Sequence, residues 1–330
     1  MYMINKPKIT LVLGTYKVPE LIKPTLEGFL NQTYKDFIVF VVDDNSPADV
    51  EIIQKSKSIV ESFNDPRIHY IKNDVNIGVP HVIRKWINLV NTEYFYICGA
   101  GDKLYPNALE LMVSFLEKNQ KASMVHGLEI KPNGSKDIPL FDNTGSYDAK
   151  IYLKSHLNDL GKSKIYSWSQ CSAVFRTELF KIWNIPVKPF HFWDYYFHCT
   201  YLLHSKEVGF IKELLTIRNN DSEDSCFQKL NDFTGRIERL HQALEFIKEN
   251  KSILIARNHK VYNYTVIIKS TLLYYSFRQN LSFSESLFCL EKIFSSNLLF
   301  PVVFILNIFI IPLKIIFLFL KFIKRSILKF

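Results

Sequence analysis

Phe37-Ile38-Val39-Phe40-Val41-Val42, closing on Asp43-Asp44-Asn45-Ser46-Pro47, is the stretch that decides the fold. An unbroken run of β-branched and aromatic residues of this length reads as a strand covered on both faces. The Asp, Asn, Ser and Pro that stop it are turn formers. Working outward, the same punctuation repeats. Residues 9–14 form another apolar run ended by Gly14, and residues 19–30 carry Leu21, Ile22, Leu26 and Leu30 on one side of a helix. Downstream come a helix over 50–63, a strand over 68–71, a helix over 80–90 and a strand over 94–98. Strands and helices in alternation imply βαβ units. The expected fold class is α/β, a mostly parallel Rossmann-like sheet flanked by helices.

Beyond these units the pattern loosens. A helix over 109–119 and a strand over 122–129 lead into a polar stretch, 131–147, that reads as loops. Residues 170–176 read as a strand, 190–201 form an aromatic segment, and 232–278 read as helix throughout. Ile237, Leu240, Leu244 and Ile247 stand there at helical spacing. No internal repeat is visible.

Four strand ends carry polar loops: Gly14-Thr15-Tyr16-Lys17, Asp43-Asp44-Asn45-Ser46, Asn73-Asp74-Val75-Asn76-Ile77-Gly78, and Gly99-Ala100-Gly101-Asp102. In any one loop, Asp and Asn serve as helix caps and turn residues. Four in succession put a polar rim at the carboxyl edge of the sheet, where open α/β sheets bind ligands. A nucleotide sugar needs a flat slot for its base and acceptors for base and ribose. Its pyrophosphate needs positive charge or a metal, and a carboxylate in the fourth loop can hold a divalent ion.

Val41-Val42-Asp43-Asp44-Asn45-Ser46 resembles the V-V-D-D-x-S signature of family 2 inverting glycosyltransferases with the GT-A fold. Leu30-Asn31-Gln32-Thr33-Tyr34 is similar to the family's L-x-Q-T-Y, and Asn76-Ile77-Gly78 to its N-x-G turn. The likeness covers roughly residues 8–200. It implies transfer of a sugar, with inversion, from a nucleotide sugar of UDP or dTDP type to a cell-surface glycan or lipid-linked glycan acceptor. It implies that Gly14, Thr15, Tyr16, Asp43, Asp44, Asn76 and Gly78 bind the donor, Thr15, Tyr16 and Asp44 around the base. Arg84 is similar in placement to a donor-contacting basic residue; the plain alternative is a solvated helix charge.

In the fourth loop the family carries D-x-D or D-D, whose last aspartate binds Mg²⁺ or Mn²⁺. Counted back from Pro106, both D-x-D positions here are glycine and Asp102 is an extra acid. With a loop one residue shorter, Asp102 itself is the metal ligand, and this placement is adopted. Trp193-Asp194-Tyr195-Tyr196-Phe197 resembles the family's E-D-Y-x-F, with tryptophan in place of glutamate. That makes Asp194 the expected catalytic base, which must face the acceptor hydroxyl opposite the leaving diphosphate; the alternative is a helix N-cap. The expected division is a catalytic domain over 1–222, a helical extension over 223–296 and a membrane-associating tail over 297–330.

Charge and cysteines bound the alternatives. The formal charge is +9, yet no Asp or Glu follows Glu291, whereas Lys292, Lys314, Lys321, Lys324, Arg325 and Lys329 do. A basic excess that lies mostly in an apolar tail suits an anionic membrane surface and argues against nucleic acid. Beyond Pro312, Lys314, Lys321, Arg325 and Lys329 share one side of a helix, as in a helix lying in the membrane interface. An oligomer contact is the alternative. The expected location is the cytoplasmic face of the inner membrane, peripheral or monotopic. The five cysteines have no metal-ligand spacing and read as reduced thiols, and residues 1–8 lack a signal-peptide core. A dinucleotide oxidoreductase is argued against by the single Gly14 where G-x-G-x-x-G belongs.

Overall fold

The structure is a computed structural model that describes residues 7–45, 50–87, 89–131, 134–136, 139–158, 169–181, 193–218, 233–259 and 261. Three βα units and a fourth strand open the chain: β1 (Ile9–Thr15), α1 (Pro19–Leu30), β2 (Phe37–Asp43), α2 (Val50–Ser62), β3 (Ile68–Lys72), α3 (Val79–Ile87) and β4 (Tyr94–Gly99). Then follow β5 (Lys103–Leu104), α4 (Ala108–Lys118), β6 (Ala122–Ile130), β7 (Gly145–Asp148) and α5 (Ala149–Asn158). A 3₁₀ turn (Gln170–Ser172) leads to β8 (Ala173–Arg176), α6 (Thr177–Lys181), α7 (Trp193–His204), β9 (Glu207–Ile217), α8 (Phe233–Glu249) and α9 (Lys251–Ala256).

The nine strands form one sheet in the order β3-β2-β1-β4-β8-β6-β9-β5, with β7 also on β9. β1 pairs in parallel with β2 and β4, and β2 with β3, so their carboxyl ends lie side by side. β8 enters antiparallel between β4 and β6, which restores β6 to the direction of β4.

Alternation of side chains sets the two faces. Leu11, Leu13, Tyr94, Tyr96 and Cys98 face a core shared with Ile22, Leu26 and Phe29 of α1 and Met112, Val113 and Leu116 of α4. On the other face Phe95 stacks on Phe175 at 5.0 Å between centroids and meets Phe180 of α6 at 4.1 Å, while Phe197 of α7 packs on Phe175 at 5.4 Å. Burying each of these rings contributes roughly 2–3 kcal/mol.

Several sequence expectations are corrected. Within 131–147, read as loops, β7 begins at Gly145 and pairs with β9 through Gly145↔Phe210 to Asp148↔Glu207. Residues 170–172 are a 3₁₀ turn, closed by reciprocal Ser169 and Ser172 side-chain bonds, and the strand starts only at Ala173. The helix expected over 232–278 breaks after Glu249, at Asn250, and again after Ala256, where Asn258 takes a positive φ of 58°. The tail over 297–330 lies outside the described residues.

Candidate functional site

Three backbone hydrogen bonds lace the strand-end loops together. The Asp44 amide donates to the Thr15 carbonyl (3.3 Å), the Asn73 amide to the Asp43 carbonyl (2.9 Å), and the Ala100 amide to the Gly14 carbonyl (2.9 Å). Parallel pairing alone brings β-strand ends level; these bonds hold the loops beyond them in register. Between this edge and α3 opens a cavity of about 620 Å³. Its polar rim comprises Gly14, Thr15, Tyr16, Asp44, Asn76, Gly78 and Gly99. Its floor is apolar, with Val12, Val42, Phe95 and Ile97 from the sheet and Val82 and Trp86 from α3.

Six of the expected donor-binding residues are therefore brought together; Asp43 and Arg84 are not among the lining. Strand alternation explains the first: Val42 and Asp44 point to the cleft, so Asp43 points away. Its Oδ2 accepts from the Tyr70 hydroxyl at 2.9 Å. Burial raises the Asp43 carboxyl above its usual range against the opposing pull of that hydrogen bond. Helical spacing explains the second. Val82 and Trp86, four residues apart, present one face of α3 to the cleft, and Arg84 between them is exposed.

Asp44 is a clamp as well as a wall. Its Oδ1 accepts from Asn73 Nδ2 (2.8 Å) and the Ile77 amide (3.1 Å). Its Oδ2 accepts from the Gly78 amide (2.8 Å) and Asn76 Nδ2 (3.2 Å). Asn73 is in turn held by Lys85 Nζ at 2.8 Å on its own Oδ1. The turn closes through Gly78 at φ +78°, a left-handed conformation that disfavours a side chain. One buried carboxylate thus fixes the whole N-x-G turn.

The fourth loop is pinned from α1. Thr25 Oγ1 donates to the Asp102 carbonyl (3.0 Å) and accepts from the Gly101 amide (2.8 Å). Asp102 is buried, and its Oδ2 accepts from the Gly99 amide at 3.1 Å. Gly99 lines the cavity, whereas Asp102 stands one step back, near the Cys98 and Cys171 thiols. Both thiols are pushed well above their ordinary range, chiefly by burial and further by the Asp102 charge. Among the described residues no group of three or more His, Cys, Asp or Glu side chains forms a metal cradle. Asp194 is the second residue of α7, in its first turn, and its side chain lies outside the description.

Sequence reading missed Trp86 and Gln170. Both line the cavity, and Trp86 Nε1, Gln170 Oε1 and Thr15 Oγ1 are buried without a hydrogen-bond partner among the described residues. Buried polar atoms are ordinarily satisfied, so three such atoms around one cavity mark it as a place for a polar ligand. Trp86 had a signal, since it falls one turn beyond Val82 on the helix after the N-x-G turn.

A family model described as Glycosyl transferase family 2 matches residues 10–183. An uncharacterized glycosyltransferase of Methanocaldococcus jannaschii is 30% identical over 177 residues, covering 49% of this chain and 58% of the relative. The putative colanic acid biosynthesis glycosyl transferase WcaA of Escherichia coli is 25% identical over 183 residues, covering 54% of this chain and 63% of the relative. The chain thus spans less than two thirds of either relative's length. Among solved structures, S. aureus TarS 1–349 in complex with UDP-GlcNAc superposes with a TM-score of 0.65 at 15% identity, covering 88% of this chain and 81% of TarS. The mannosyltransferase PcManGT of Pyrobaculum calidifontis, in complex with GDP-Man and Mn²⁺, gives a TM-score of 0.50 at 14% identity, covering 90% and 82%. These likenesses fit the GT-A arrangement of sheet and helices.

Proposed function

Because the chain belongs to glycosyl transferase family 2, we propose that it moves a sugar from a nucleoside-diphosphate donor, seated in the strand-end cleft, to a surface glycan acceptor. One observation carries this reading: unpartnered Thr15 Oγ1, Trp86 Nε1 and Gln170 Oε1 belong to residues lining the same cavity as the Asp44-clamped turn. Two acceptors and an N–H donor beside an apolar floor suit a base with its ribose. The UDP-GlcNAc complex of TarS supports a donor of UDP type, with dTDP the other candidate.

In the proposed reaction the acceptor hydroxyl attacks the anomeric carbon as the bond to the diphosphate breaks, which inverts the configuration. The Asp194 carboxylate takes the hydroxyl proton, and the leaving group departs as nucleoside diphosphate. Asp102 is the residue that would hold Mg²⁺ or Mn²⁺, and such an ion would offset charge on the diphosphate. Such an ion would take one carboxylate from Asp102, turned from the Gly99 amide toward the cleft, and its remaining ligands from phosphate and water oxygens. The catalytic part is taken as 1–222, the helical extension as 223–296 and the membrane-associating part as 297–330. The name of WcaA supports a polysaccharide acceptor, and the basic tail supports a lipid-linked one at the cytoplasmic face of the inner membrane.

A second reading, a binding or scaffold protein of a glycan assembly complex, is favoured by the fourth loop. There Gly99-Ala100-Gly101 leaves Asp102 as its single acid. Measuring transfer and donor hydrolysis separates the two. Asp194→Asn is expected to lower kcat by roughly 10²- to 10⁴-fold with donor affinity retained. An unchanged rate in that variant removes Asp194 from the mechanism. A wild-type protein that binds donor yet neither transfers nor hydrolyses it is the scaffold.

A further inference from the structure

A second concavity, of about 700 Å³, lies at the opposite edge of the sheet. β6 and β9 run parallel to each other and in the direction of β4, so their first residues, Ala122 and Glu207, sit at the amino edge, away from the donor cleft. Lys121 immediately precedes β6, Lys206 immediately precedes β9, and Lys150 is in the first turn of α5; all three line this hollow. Arg257, which follows α9, lines it too and donates from Nη1 to the carbonyls of Leu203 and Ser205, at 3.0 Å to the latter.

The lining also holds two acids, and both are engaged with neutral donors. Asp148 Oδ1 accepts from the Lys150 amide at 2.8 Å, and Glu207 Oε2 accepts from Ser146 Oγ at 2.7 Å. Among the described residues Lys121, Lys150 and Lys206 form no salt bridge. The ring of His259, also in the lining, is pushed down to about 4 by burial, with Lys150 and Arg257 adding to the effect. The hollow is therefore a region of positive potential carried by lysine and arginine.

A separate observation comes from the sequence. After Glu291 the chain carries six basic and no acidic residues. We propose that the basic hollow receives the phosphate of an anionic lipid headgroup, so that the amino edge of the sheet is a membrane-docking face opposite the donor cleft. Lysines near an anionic surface each contribute about fivefold in binding, and a recessed hollow holds a phosphate among several ammonium groups at once. This inference stands apart from the reading of the donor cleft.

The test is co-sedimentation of the full chain with phosphatidylcholine vesicles, with and without phosphatidylglycerol. Replacing Lys121, Lys150 and Lys206 together by Gln is expected to weaken binding to phosphatidylglycerol vesicles on the order of 100-fold, from about fivefold per lysine. Binding of nucleotide sugar should stay at the wild-type level, which keeps failure of this proposal distinct from failure of the cleft reading. Lys206→Gln alone should give about a fivefold loss and serves if the triple variant misfolds. Wild-type affinity for phosphatidylglycerol vesicles in either variant overturns the proposal. So does a lysine-dependent response to inorganic phosphate alone, without lysine dependence on vesicles; that outcome makes the hollow a soluble-anion site.

Discussion

Asp44→Ala tests whether the second aspartate of the D-D pair acts as a clamp. The substitution strips the acceptor from Asn73 Nδ2, Asn76 Nδ2 and the Ile77 and Gly78 amides. At about 1 kcal/mol per hydrogen bond lost, the loss approaches ~4 kcal/mol. Asn76 recovers part of this, because its Nδ2 also donates to the Asp44 carbonyl at 2.9 Å. The expected destabilisation is about 3 kcal/mol, and Asp44→Asn, which keeps one carbonyl oxygen, should cost about half as much. Urea unfolding followed by circular dichroism measures both. Asn73→Ala should cost about 1 kcal/mol and couple to Asp44→Ala in a double-mutant cycle by a similar amount. Because Asn73 reaches the cleft only through Asp44, a clamp also requires Asn73→Ala to weaken donor binding. The reasoning is refuted if Asp44→Ala unfolds within about 0.5 kcal/mol of wild type while donor binding disappears. Asp44 would then be a recognition residue and nothing more.

The buried His126 ring is pushed down from 6.5 to about 4, chiefly by burial. Between those values the unfolded chain holds the extra proton, so His126 should make stability fall with acidification across that window, by roughly 3 kcal/mol at the low end; His126→Phe should make the profile shallower by about that amount, His198 and His259 keeping the remaining slope. Cys98, Cys171 and Cys199 are buried with thiols raised above their ordinary range. Mass spectrometry after iodoacetamide at mildly alkaline pH should find them unmodified in the folded protein and labelled in urea. A Cβ on Gly209 would collide with the Phe115 ring, so Gly209→Ala should lose about 1–3 kcal/mol in the same urea assay.

The first four strands were legible because each is a short apolar run stopped by turn formers, and parallel pairing leaves little else for such runs to do. β9 was not. Lys212 and Glu213 interrupt its apolar run, and its partners β6, β5 and β7 are distant in sequence. α5 carries Tyr152, Leu153, His156 and Leu157 buried at helical spacing, a signal diluted by Lys150, Lys154 and Ser155. At the site, Gly14, Thr15, Tyr16, Asp44, Asn76 and Gly78, all expected from the motif-bearing strand ends, line the cavity. Asp43 stands outside the lining because one position along a strand reverses the face, and Arg84 because helical phase is set by how α3 packs. Gln170 was out of reach: the 3₁₀ turn that presents it depends on Ser169, whose hydroxyl donates to the buried Glu129 carboxylate at 2.5 Å, forty residues upstream.

Calorimetric titration of UDP- and dTDP-sugars into the wild-type chain, Thr15→Val and Gln170→Ala bears most directly on the strand-end cleft. A donor seated there predicts saturable binding by wild type and a loss of about fivefold to tenfold in each variant, the worth of one hydrogen bond to a buried polar atom. Binding of equal strength in all three proteins, or none to wild type, would contradict it.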